Sequence, residues 1–154
     1  MKKIKIALSF LLMNLLIGLP VLQAQKTAEE IKISVESQDF VFKADVANPV
    51  RGGSQQLSAG YDLTITKKNI ISYLPFYGRA QTIPVGASDG GIKFTSTSFD
   101  YKVAPYKKGW QITIKPKDVS NVQQLILTIF NNGSATLDIM NINRDDISFR
   151  GYIK

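Results

Sequence analysis

The side chains best suited to chemistry gather in one stretch of this chain, Tyr73-Leu74-Pro75-Phe76-Tyr77-Gly78-Arg79, which opens a long irregular segment running to Gly91. Arginine presents a planar fork of donors, and tyrosine or phenylalanine presents a flat face. Together they stack a sugar ring or grip an anion. Tyr73, Phe76, Tyr77 and Arg79 are therefore the candidate binding residues. Long loops in small domains often carry function, and Pro75, Pro84 and the glycines limit the ordering cost of binding. A plainer reading competes. In it Phe76 and Tyr77 plug the end of the core, Arg79 pairs with a buried carboxylate, and Asp89-Gly90-Gly91 is only a turn.

Other motifs are weaker. Asn141-Ile142-Asn143-Arg144-Asp145-Asp146 spaces oxygen side chains as calcium loops do, but it lacks the glycine at the sixth place and the closing glutamate. A polar turn before the last strand explains it. Asn132-Gly133-Ser134 matches the glycosylation tripeptide and equally a hairpin turn. Gly52-Gly53 and Gly90-Gly91 precede no helical pattern, so no phosphate-cradling loop is expected. No spacing places two carboxylates on one site. Cysteine and histidine are both absent, which excludes disulfides, thiol nucleophiles, Cys/His zinc sites and imidazole catalysis. The expectation is a protein that is not an enzyme, with no catalytic residue, no metal and no cofactor.

The elements that position these residues begin after a leader. Lys2, Lys3 and Lys5 precede an apolar run from Ile6 to Leu22, Pro20 stands near its end, and Ala24 offers a small residue. This is the layout of a cleavable secretory signal over residues 1–24, cut after Ala24. Residues 25–154 then form a single β-rich domain, periplasmic or secreted, with no stable membrane anchor after cleavage. Without the three leader lysines sixteen basic residues face twelve acidic ones, so a formal charge of +7 falls to +4. The basic residues are scattered and two pairs fall at turns, which gives no stripe for nucleic acid.

Thr27-Ala28-Glu29-Glu30 fits a capping box and predicts a short helix over residues 27–37, although Ile31, Ile33 and Val35 also alternate as a strand would. From Phe40 onward the period is two. Phe40, Phe42, Ala44 and Val46 form one face; Tyr61, Leu63 and Ile65 another. Ile70 to Leu74, Ile92 with Phe94, and the triplets beginning at Phe99, Trp110, Ala135 and Ile147 continue the pattern. Residues 125–130 are nearly all apolar, which predicts a strand covered on both faces. Lys67-Lys68-Asn69, Lys107-Lys108-Gly109 and Asn131-Asn132-Gly133 are short connectors, so their neighbours must be antiparallel. The fold class is mainly β (α+β): an antiparallel meander of eight to nine strands in a sandwich or partly open barrel, with one short N-terminal helix.

Phe40-Val41-Phe42-Lys43-Ala44-Asp45, Gly60-Tyr61-Asp62-Leu63, Ser72-Tyr73-Leu74-Pro75-Phe76-Tyr77-Gly78-Arg79-Ala80, Gly90-Gly91-Ile92-Lys93-Phe94 and Asn132-Gly133-Ser134-Ala135 occur in this order. In them the chain resembles the domain-of-unknown-function family four-two-five-one, found in exported proteins of Gram-negative bacteria. The resemblance covers residues 31–153. Members often carry an Arg-Gln pair before the last strand, where Arg144-Asp145 stands here, so nothing is transferred at that point. The resemblance implies export and a single domain, and no catalytic residue.

The expected function is a non-enzymatic module that binds a glycan, a small molecule or an envelope protein. The alternatives are a structural or inhibitory protein acting through a flat surface, and a hydrolase using carboxylates or tyrosine on glycans. The last would need two carboxylates, or a Tyr/Arg pair, converging in one cleft.

Overall fold

A computed structural model describes residues 26–80 and 90–154. The leader and the middle of the irregular segment lie outside the described residues.

The helix forms as its cap dictates. Helix α1 spans Ala28–Ser37, and Thr27 is its N-cap. The Thr27 hydroxyl accepts from Glu30 N at 3.3 Å, while Glu30 Oε2 accepts from Thr27 N at 2.7 Å. These bonds hold the Glu30 carboxyl below its ordinary pKa. Gln38 closes the helix in the left-handed region, φ 53°. Ile31 and Val35 are fully buried on one face, so the helical reading prevails over the strand-like alternation. Ile33 points outward, 57% exposed.

Among the described residues ten strands follow: β1 (Phe40–Pro49), β2 (Gln55–Gln56), β3 (Asp62–Ile65), β4 (Ile70–Leu74), β5 (Ile92–Ser96), β6 (Phe99–Pro105), β7 (Gly109–Pro116), β8 (Val122–Phe130), β9 (Ser134–Asn141) and β10 (Ile147–Ile153). They form one antiparallel sheet in the order β5-β4-β3-β1-β10-β9-β8-β7-β6, with β2 beside β1. The first and last strands of that order are consecutive in sequence, separated by Thr97 and Ser98 alone. The sheet must therefore curl until its two edges meet, which makes it barrel-like. Eight antiparallel steps leave β5 and β6 running the same way. Two residues cannot connect parallel neighbours, which need a crossover of about a dozen residues. The seam is a bent corner rather than a ladder, and the barrel is nearly closed.

The predicted alternation holds with instructive exceptions. Phe40, Phe42 and Ala44 face the core, but the next buried residue is Ala47, not Val46. The pairing with β10 shifts between Ala44 and Val46. The extra residue is a β-bulge, which turns the inward face from even to odd numbers. Beside it a Cβ on Gly151 would land on the Lys43 carbonyl oxygen, so only glycine permits this approach of β1 and β10. Strand β8 is not covered on both faces. Leu125, Leu127 and Ile129 are buried and Thr128 nearly so, whereas Ile126 and Phe130 are partly exposed. A barrel has one interior, and the outer face of β8 meets solvent. Val103, expected on the inner face of β6, is exposed at the open seam.

The three short connectors close hairpins. At Asn131-Asn132-Gly133 only Gly133 takes positive φ, 82°, and its N–H donates to Phe130 O at 2.9 Å. The Asn132 side chain accepts from Ser134 N and Oγ within this turn. Helix α1 packs here: Ile31 Cδ1 lies 3.7 Å from where a Gly133 Cβ would stand. The Tyr101 hydroxyl of β6 donates to Val35 O at 3.1 Å, and burial raises the Tyr101 pKa above the ordinary phenol range. The helix thus lies at the β8–β9 hairpin end, leaving the opposite end of β9 to loops. Among the described residues no helix is long and apolar enough to cross a membrane.

Candidate functional site

The structure divides the four candidate residues between two places. Tyr73 alternates with the buried Ser72 and Leu74 of β4 and so stands on the outer face. Cross-strand register places it in a row, Lys43–Asp62–Tyr73–Lys93, across β1, β3, β4 and β5. Lys43 Nζ reaches Asp62 at 2.6 Å. The Tyr73 ring stacks with Tyr61 at 5.9 Å between centroids, and Lys93 Nζ lies 4.5 Å from its centre. Tyr73 is 47% exposed, yet its ring is already engaged by two neighbours.

Phe76, Tyr77 and Arg79 belong to the loop end. Phe76 is partly buried against the core, as the plainer reading expected of it. Tyr77 is 38% exposed instead of plugging the core. Arg79 meets a carboxylate, but through its backbone: its N–H donates to Asp145 Oδ2 at 3.1 Å, and Asp145 N donates back to Arg79 O at 3.0 Å. Its side chain is exposed and finds no partner among the described residues. The next residue, Ala80, forms an isolated bridge with Arg144. The loop after β4 is thereby stitched to the β9–β10 turn.

That turn supplies the residue sequence reasoning missed. The Arg144 guanidinium lies 4.7 Å from the centre of the Phe76 ring. Its Nε donates to Asn141 Oδ1 at 3.1 Å, and Nη1 donates to the carbonyls of Gly90 at 3.1 Å and Gly91 at 3.4 Å. Among the described residues every partner of this guanidinium is neutral. Its Nη2 is sealed from solvent with no hydrogen-bond partner among the described residues, and burial pushes the guanidinium pKa down. Such an orphaned donor is uncommon in folded proteins. The β1–β2 loop adds a third arginine: Arg51 Nε stands 3.8 Å from Asp145 Oδ2 with its side chain 63% exposed.

Asn141 to Asp146 form the polar turn that the sequence favoured over a calcium loop. Their oxygens face inward: Asp146 Oδ1 accepts from Asn141 N at 2.8 Å, and Asn141 Nδ2 donates to Asp145 O at 2.8 Å. The described residues hold no group of three or more Asp or Glu placed to bind a metal ion.

A second polar cluster lies on the outer face of β6, β7 and β8, where Asp100, Lys102, Thr113, Lys115 and Gln124 line an open groove of about 400 Å³. Lys117 Nζ, 2.6 Å from Asp100, and the nearby Lys102 and Lys115 hold that carboxyl below its ordinary pKa.

Comparison with known proteins agrees with this architecture. The model of the DUF4251 family, described as a domain of unknown function, matches residues 22–153. A crystal structure of a DUF4251 family protein from Bacteroides eggerthii DSM 20697 superposes with a TM-score of 0.64 at 17% sequence identity, over 82% of this chain and 85% of that one. At that identity the likeness shows the fold alone. No curated protein matches the chain.

Proposed function

The chain belongs to the DUF4251 family, which has no described activity, and from that premise we propose that it is an exported, non-enzymatic module binding a ligand or an envelope partner at its loop end. One observation carries this reading: Arg144 is held half-buried on Phe76 with a donor left over, where a purely structural arginine would be fully paired. Arg51, Tyr77 and Arg79 stand exposed on the loops of the same end. The two carboxylates of the turn, Asp145 and Asp146, are each committed to a backbone amide, which favours binding over acid–base chemistry. The leader expected over residues 1–24 makes the protein periplasmic or secreted and soluble once cut after Ala24.

The flat-surface alternative keeps one observation in its favour. Ile71 and Tyr73 stand exposed on the outer face of β4. Capture of partners from the cell's own envelope extract separates the two readings. The loop-end module loses its partner in Arg79→Ala and keeps it in Tyr73→Ala; the reverse outcome transfers the function to the outer face. Mass spectrometry of the exported protein reads the N-terminus, expected at Gln25.

A further inference from the structure

Taking the loop end as the binding site, we propose that its ligand is recognised through an acidic group, a carboxylate, sulfate or phosphate, held between the guanidinium forks of Arg51 and Arg79. The first argument is charge. Three arginines, Arg51, Arg79 and Arg144, and two aspartates, Asp145 and Asp146, lie on the loops joined here, and each carboxylate already accepts from a backbone N–H. Among the described residues Arg51 alone of the three guanidinium groups has a carboxylate within 4 Å, and at 3.8 Å that contact is too long for a hydrogen bond.

The second argument is convergence. Arg51 Nε and the Arg79 backbone N–H both approach Asp145 Oδ2, at 3.8 and 3.1 Å. Two loops that each carry an exposed arginine therefore meet at one carboxylate, Arg51 through its side chain and Arg79 through its backbone. A fork of parallel N–H donors matches the oxygens of an oxyanion, and charge-assisted bonds of this kind are about twice as strong as neutral ones.

The third argument is the fixed charge behind them. Arg144 is tied at Nε, at Nη1 and across its face, so it cannot swing out to the ligand, and its Nη2 is closed to solvent. It remains protonated because arginine does so in proteins. A half-buried cation held among neutral partners projects a field that water screens less than it would at a fully exposed site. Arg144 is thus a positioning residue, and Arg51 and Arg79 are the contacts. The exposed Tyr77 ring gives the rest of the ligand a face to lie on.

The test uses the mature chain and a matched pair of probes, D-glucuronate and D-glucose, which differ in the acid group, with sodium sulfate as the minimal anion. Arginine side-chain and backbone NMR signals are followed during titration. Glucuronate and sulfate should shift Arg51, Tyr77 and Arg79 saturably, and glucose should not. Arg79→Ala, and the length-preserving Arg79→Gln, should weaken glucuronate binding about tenfold or more, the loss of a charge-assisted contact. Lys102→Ala in the outer groove should leave it unchanged. Unmoved loop-end signals, equal shifts with glucose, or shifts centred on Lys102 and Lys115 would overturn the proposal. Envelope capture distinguishes its failure from that of the underlying reading: Arg79-dependent capture that neither anion competes away removes the acid group and keeps the site, whereas capture indifferent to Arg79 together with silent titrations removes both.

Discussion

Asp118 and Asp145 organise two loops at the same end of the barrel. Asp118 precedes β8, whose Val122 pairs with Asn141, and Asp145 follows Asn141 in the next turn. At the β5–β6 corner the Asp118 carboxylate accepts from Ser96 Oγ at 2.5 Å, Thr97 N at 2.8 Å, Thr97 Oγ1 at 3.1 Å and Ser98 N at 3.1 Å. Lys117 N adds a bond to Ser98 O. Donors and acceptors balance there, and the corner has the task the topology sets it: turning the chain from one edge of the sheet to the other. At Asp145 one carboxylate serves a backbone amide and an arginine 3.8 Å away, while the guanidiniums of Arg79 and Arg144, on the segments joined there, have no acid partner among the described residues. A polar cluster that closes on itself is sufficiently explained by folding. One that leaves a sealed donor and exposed cations is not.

The largest effect that tests this contrast is Asp118→Ala. Removing the acceptor frees four donors at the one joint that the ladder does not hold, so the melting temperature should fall clearly and amide exchange should rise across β5 and the start of β6. The same carboxyl is held down at a pKa of about 2, first by the Ser96 hydroxyl and then by the Thr97 amide. An unfolded aspartate titrates near 3.9. A depressed folded pKa stabilises the fold above the unfolded value, and the contribution disappears as pH falls through the folded one. The stability difference between wild type and Asp118→Asn should therefore be full above about pH 4 and vanish toward about pH 2, as read by denaturant melts. A difference flat over that window would mean that the carboxylate does not hold the corner.

The helix end of the barrel supplies a reference of known cause. Gly133 has φ 82°, and a Cβ there would meet Ile31 Cδ1 at an ordinary 3.7 Å, so the backbone conformation is the first strain that Gly133→Val introduces. It should destabilise by roughly 1–3 kcal/mol, and an unchanged denaturation midpoint would place Gly133 outside the left-handed region.

How much of this was legible follows from what each feature depends on. Nine strands announce themselves because burial on one face writes an alternation that Leu63, Ile65, Leu137 and Ile139 obey. Strand β2 does not, since Gln55 and Gln56 are both exposed and are a strand only by pairing with β1. The bulge at Asp45 is equally silent, being a property of the register with β10. The loop end was half visible. Phe76, Tyr77 and Arg79 drew notice as a local cluster of types, but Arg144 lies 65 residues beyond Arg79 in an ordinary polar turn. Only the sheet order brings those segments together, and no local pattern encodes it. The alternate spacing of oxygens at Asn141–Asp146 was the one available signal; it resembled an incomplete set of calcium ligands and was better explained as a polar turn, and that turn presents a cation.

Arg144→Met is the sharper probe of the second cluster. A half-buried cation with neutral partners and an orphaned donor adds little to stability, and apolar replacement at such positions is often neutral or stabilising. Methionine keeps contact with Phe76, and water can serve the exposed Gly90 carbonyl. The melting temperature should stay level or rise, with glucuronate affinity reduced, as calorimetry can follow on one sample. A marked loss of stability would return Arg144 to the class of Asp118.

The smallest expected change in stability is that of Arg79→Ala, and its smallness is the point. The plainer reading required Arg79 to neutralise a buried carboxylate, and breaking such a pair typically lowers stability by about 3 kcal/mol or more. Here the carboxylate is held by the Arg79 backbone N–H, which alanine retains. The exposed guanidinium reaches no partner among the described residues. Truncation should shift stability by less than about 0.5 kcal/mol, as exposed substitutions do. Partner capture should nevertheless fall, because the group removed is one that folding leaves unused. A structural arginine yields the opposite combination, a clear drop in melting temperature with capture retained, and that result would make the two aspartate clusters alike.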